Sequence, residues 1–208
     1  MIYTEDIAFI HIPKTSGMSI KKSIEINCPD AAYMPTRQTK MFNGDYHNRS
    51  FNDDWRRVMH YPYSYWEPMI EDKWVFSIVR NPYVRAVSFY VFMTTSYMID
   101  LTFENMFSER YWTEHYKNPI RIYQNGLRLQ TMTQTETLTG SNGLVPNIFK
   151  YEDGYAELEE KLGFKIDQKE NVTTKYNYLD YYDEKRQKHI LNLFEKDFEN
   201  FSYDIELK

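Results

Sequence analysis

Apolar positions along this chain fall into two alternating rhythms. Short runs of β-branched and aromatic residues, "IAFIHI" at 7–12 and "WVFSIVR" at 74–80, are too brief for buried helices and predict buried strands, the first bounded by Pro13. A helical pattern follows each run at once. In "SIKKSIEIN", Ile20 and Ile24 share one face and Pro29 marks the end; in "NPYVRAVSFYVFM", Asn81 is an N-cap and Pro82 occupies the first helical position. "NIFKYED" predicts a third strand, and "YAELEEKLG" a helix capped from Asp153 and closed by Gly163. The tail "EKRQKHILNLFEKDFENFSYDI" spaces Ile190, Phe194 and Phe198 four apart with Leu191 and Phe201 beside them, the pattern of a core-facing amphipathic helix. Cys28 to about Ser50 has no period and reads as an irregular excursion, while 95–143 reads as helix interrupted at Gly126, Gly140 and Gly143. Three strand-to-helix units predict an α/β fold with a central parallel sheet flanked by helices and a ligand site beyond the carboxyl ends of the strands.

Composition narrows the class of protein. With 208 residues, 42% apolar and 26% charged, the chain is expected to fold as one globular domain over 1–208. A net charge of -5 argues against a nucleic-acid or anionic-membrane partner, although a local basic pocket remains compatible with it. Cys28 is the single cysteine, so neither a disulfide framework nor a cysteine metal cluster is expected. The start "MIYTED" is acidic, and no apolar run approaches the roughly 18 residues a membrane span needs. A soluble, cytoplasmic protein without a transmembrane segment is the expectation.

The chemistry gathers where strands hand over to helices. "PKTSGMS" brings to a helix N-terminus a lysine, Lys14, three hydroxyls, Thr15, Ser16 and Ser19, and a glycine, Gly17, expected to let the chain bend and an anion approach the backbone. A Walker A loop has its glycines ahead of a Lys-Ser/Thr pair, so this is not one, and an ATP-using kinase is the weaker alternative. "FSIVRNPYVRAVSFY" sets Arg80 at a strand end and Ser88 inside the next helix, a forked donor and a hydroxyl suited to a second phosphate. Two anion sites imply a ligand with phosphates at both ends.

These two segments, in this order, resemble the 5′- and 3′-phosphate motifs of sulfotransferases that use 3′-phosphoadenosine 5′-phosphosulfate (PAPS), in particular the carbohydrate group with the heparan 2-O- and chondroitin enzymes. The resemblance continues through "LRLQT", "NIFKYED", "NVTTKY" and "FEKDFENFSYD" and so spans nearly the whole chain. It implies a P-loop-like nucleotide-binding architecture in which Lys14, Thr15, Ser16, Gly17, Met18, Ser19 and Ile20 wrap the 5′-phosphosulfate. It further implies that Arg80 and Ser88 bind the 3′-phosphate, that Thr173 and Lys175 close over the nucleotide, and that adenosine 3′,5′-bisphosphate is released without a metal. Relatives commonly carry Thr where this chain has Met18.

In-line sulfuryl transfer needs positive charge on the departing oxygen and a base for the acceptor hydroxyl, which the resemblance makes a carbohydrate. Lys14 suits the first role. For the second, His47 in the loop "NGDYHNRSF" lies in the interval where relatives place their base. His11 and His60 read as packed residues, and His115 and His189 as exposed ones. Most aromatics, 17% of the chain, must be core, with Tyr63, Tyr65 and Trp66 in that default. Arg49, Arg56 and Arg57 read as a solvated face. A nucleotide-binding module without turnover is the non-enzymatic alternative.

Overall fold

The computed structural model describes residues 1–33, 60–96, 100–108, 132–167 and 176–207. The strands are β1 (Ile2–Tyr3), β2 (Ile7–Ile10), β3 (Ala32–Tyr33), β4 (Trp74–Val79), β5 (Thr139–Gly140), β6 (Gly143–Leu144) and β7 (Asn147–Lys150). The helices are α1 (Gly17–Asn27), α2 (Tyr63–Trp66), α3 (Pro82–Ser96), α4 (Phe103–Met106), α5 (Gln134–Leu138), α6 (Ala156–Leu162), α7 (Glu184–Leu193) and α8 (Glu195–Asn200). Five strands form one sheet in the order β3-β1-β2-β4-β7. The predicted strands are its parallel centre: β2 runs beside β4 with Phe9 opposite Phe76, and β4 beside β7 with Ile78 opposite Phe149.

Period-two alternation divides the sheet residues between two cores. Ala8, Ile10, Val75 and Val79 face Trp66, Ile70, Leu138 and Phe201. Phe9, Phe76 and Ile78 face Ile20 and Ile24 of α1 and Leu158 of α6. Helices therefore cover both faces, which is why the central strands are apolar throughout. Tyr83, Val87 and Val91 of α3 pack against Ile190, Phe194 and Phe198.

Several local expectations change. The sheet is mixed, because β1 and β3 add antiparallel edge strands that two-residue segments are too short to announce. Gly140 and Gly143 lie in a small antiparallel hairpin rather than breaking a helix, with Gly143 at φ 108 where a side chain would be strained. Asp153 does not cap α6: it belongs to a 3-10 turn over Tyr151–Asp153, and Tyr155 precedes the helix without a side-chain cap. Gly163 does close α6, in the left-handed conformation. The tail splits at Phe194, which is buried and serves as the boundary residue of both α7 and α8.

Candidate phosphate site between two turns

The first turn joins β2 to α1. Lys14 and Ser16 hold left-handed backbones at φ 69 and 70, so alternate residues reverse hand and turn successive N–H groups toward one concavity. For non-glycine residues this conformation costs about 1–2 kcal/mol each, so something must hold it. Three inward bonds do: Thr15 Oγ1 donates to the Ile12 carbonyl at 2.9 Å, Arg85 Nε to the Pro13 carbonyl at 3.1 Å, and Arg80 Nη1 to the Lys14 carbonyl at 3.2 Å. The Pro13 and Lys14 carbonyls are those to which the amides of Gly17 and Met18 would turn in a regular helix. With both carbonyls engaged by arginines, those two amides have no hydrogen-bond acceptor among the described residues. Among the described residues no side chain caps α1 either. The turn therefore has the physical features that favour an anion: outward amides at a helix start.

Gly17 has a different role from the one its composition suggests. The reversals in backbone hand fall on Lys14 and Ser16, and a Cβ on Gly17 would land on Cδ2 and Nε2 of His11. Gly17 is the space that lets the His11 ring lie under the helix start. Thr15 is fully buried and its hydroxyl hydrogen goes to Ile12, so toward an anion it can offer only its amide. Ile20 is a core residue whose amide bonds the Ser16 carbonyl. Ser19 is buried and Met18 half-buried at the same helix start.

The second turn, β4 to α3, distributes its bonds in the opposite way. The Arg80 amide donates to Gln134 Oε1 at 2.8 Å, the Asn81 amide to Glu152 Oε1 at 2.8 Å, and the Tyr83 amide to the Asn81 side chain at 2.9 Å. The backbone here is satisfied internally. What remains is the Arg80 guanidinium, stacked 4.5 Å from the Tyr151 ring centroid, with a buried Nε that has no hydrogen-bond partner among the described residues. Ser88 is buried two turns into α3. Gln134 holds Arg80 from both sides, since its Nε2 also donates to the Arg80 carbonyl at 2.8 Å. The start of α5 is fixed in turn by Asp197, fully buried, which accepts from the amides of Gln134 and Thr135 at 2.8 and 2.7 Å.

Burial sets the electrostatics. Lys14 Nζ lies 4.1 Å from the Phe92 ring centroid, and burial, then the neighbouring Arg80 charge, lowers its pKa to about 8. Burial lowers that of Arg85 to about 10, with Asp197 opposing, so Arg85 stays charged at neutral pH. His11 is held neutral by burial and by His60, whose ring centroid is 4.6 Å away. His60 faces the His11 carbonyl with Nδ1 at 3.3 Å; Nδ1 is therefore the protonated nitrogen and Nε2 a free base, and burial lowers the pKa to about 4. His60 thus packs on His11 beneath the first turn, as its aromatic surroundings suggested.

Lys14 and Arg80, predicted as two separate grips, meet here side by side. His47, Thr173 and Lys175 lie outside the described residues, as do His115, Arg49, Arg56 and Arg57; His189 is exposed. Sequence reasoning missed Arg85, Gln134, Asp197, Tyr151 and Tyr155. A signal existed for Arg85 alone, as a lone charge inside the apolar run of α3; the others are joined to the turns only by long-range contacts.

The chain is similar to known proteins over much of its length. A model described as the sulfotransferase family matches residues 1–137. Among solved structures, a sulfotransferase from Alicyclobacillus acidocaldarius is similar at 15% identity, covering 96% of this chain and 87% of that one, with a TM-score of 0.40. No curated protein matches. Among the described residues, no helix is long and apolar enough to cross a membrane.

Proposed function

The chain belongs to the sulfotransferase family, and on that premise we propose that residues 1–208 act as one domain that moves a sulfuryl group from PAPS to a carbohydrate hydroxyl. The donor, when bound, supplies an activated sulfuryl group on a phosphate leaving group. The first turn receives the 5′ end on its outward amides, and Lys14 brings a full positive charge to the departing oxygen. Arg80 takes the 3′-phosphate together with Ser88 of α3, and Thr173 and Lys175 complete the nucleotide site. The observation that carries this reading is the Arg80 bond to the Lys14 carbonyl at 3.2 Å: one nucleotide can touch both turns at once. The base is a histidine. His47 is the loop candidate, and His60, whose Nδ1 faces the His11 carbonyl at the strand end below the turn, is the alternative, although a pKa lowered to about 4 makes it the weaker base.

Calorimetry with adenosine 3′,5′-bisphosphate against ATP tests the donor. A strong preference for the bisphosphate is expected; a preference for ATP rejects the reading. Transfer of labelled sulfate to a panel of glycans and small alcohols tests the acceptor, with His47→Ala and His60→Ala compared. Loss of about a hundred- to ten-thousand-fold in turnover with bisphosphate affinity retained identifies the base. Transfer to small alcohols only would remove the carbohydrate assignment.

A further inference from the structure

Ser16 stands at the N-cap position of α1, where a serine ordinarily folds its hydroxyl back onto the helix amides. Here it does not. Its left-handed backbone, φ 70 and ψ 13, turns the side chain outward, and its Oγ accepts a short hydrogen bond from the Tyr155 hydroxyl. Tyr155 is brought there by the 3-10 turn after β7, half-buried with its ring against the core that contains Ile20 and Leu158. The hydroxyl carries one hydrogen and two lone pairs. Since the phenol, the more acidic of the two, donates, the Ser16 hydrogen has to point to a different acceptor, and none of the described residues supplies one.

We infer that Tyr155 is a positioning residue that fixes the Ser16 hydroxyl as an outward donor to the 5′-phosphate end of the donor nucleotide, polarised by the hydrogen bond it receives. The inference rests on the sulfotransferase reading above. It explains three facts together: the strained backbone of Ser16, the uncapped helix, and a half-buried tyrosine whose hydroxyl meets the loop. Burial raises the Tyr155 pKa, so the phenol keeps its proton at neutral pH. Tyr151, one turn earlier and 6.4 Å from the Tyr155 ring centroid, stacks on Arg80. The segment after β7 thus touches both phosphate grips, one tyrosine to each.

The test is a double-mutant cycle on ligand affinity, with no need of an acceptor. Tyr155→Phe keeps the ring and its packing; Ser16→Ala removes the hydroxyl it is argued to act through. Each is titrated with adenosine 3′,5′-bisphosphate and with adenosine 3′-monophosphate, which lacks the 5′-phosphate. Each single variant is expected to lose about 2- to 13-fold in bisphosphate affinity, the worth of one neutral hydrogen bond. The double variant should lose no more than Ser16→Ala alone, and affinity for the 3′-monophosphate should stay unchanged throughout. Unchanged bisphosphate affinity in Tyr155→Phe, losses that multiply in the double variant, or equal losses with both ligands would overturn the inference and leave the donor assignment standing. An unmutated chain that binds no bisphosphate would overturn the donor assignment, and the inference with it.

Discussion

The two turns have the same strand-turn-helix plan and opposite hydrogen-bond accounts. At residues 13–18, arginines from elsewhere occupy the carbonyls and the Gly17 and Met18 amides face outward; at residues 80–83, Gln134 and Glu152 from elsewhere occupy the amides of Arg80 and Asn81, and the turn's own Asn81 side chain occupies that of Tyr83. The first turn can therefore hold an anion with its backbone, and the second only with a side chain. A helix N-terminus after a strand is thus insufficient evidence of an anion site. What decides is whether another part of the protein has claimed the N–H groups first.

The largest break in this contrast comes from the lysine of the first turn. Lys14→Ala should lower sulfate transfer by about 100- to 1000-fold, the loss typical of removing one charge-stabilising group; a smaller loss in a transfer assay would move the leaving-group role elsewhere. Arg80→Ala should weaken bisphosphate binding about 10- to 150-fold, the worth of charge-assisted bonds, with the larger part of the loss specific to ligands bearing a 3′-phosphate. Calorimetry with the 3′- and 5′-monophosphates resolves the two. Gly17→Ala should cost about 1–3 kcal/mol in chemical denaturation, because the added methyl falls on the buried His11 ring. A neutral result would mean that His11 moves aside easily.

The pH dependence sharpens the same point. Lys14, with its pKa lowered to about 8, is a cation below that pH and loses its proton above it. Bisphosphate affinity should therefore hold from pH 6 to about pH 8 and then fall, by at most about tenfold per unit. Binding near pH 8 should take up a proton, seen as a dependence of the calorimetric heat on buffer ionisation. The smallest effect belongs to the second turn: Asn81→Ala removes the cap of α3 and should cost about 1 kcal/mol of stability, with little change in ligand affinity, since its backbone is not offered to the ligand.

The chain's own pattern determined the parallel centre of the sheet, the helices that follow β2 and β4, and the location of Lys14 and Arg80, because apolar period, proline and cap residues act over a few positions. It also carried both turn segments that are proposed as the phosphate grips. Only the tertiary structure decided that the two turns abut, that Gly17 makes room for His11 rather than for the bend, and that α6 starts after Tyr155 instead of at an Asp153 cap. The same holds for Arg85, Gln134, Asp197 and Tyr155. Their bonds reach a turn 54 to 139 positions away, or act through a residue that does. Contacts at such separation leave no period in the sequence, because they depend on where packed elements bring side chains together rather than on local backbone preference.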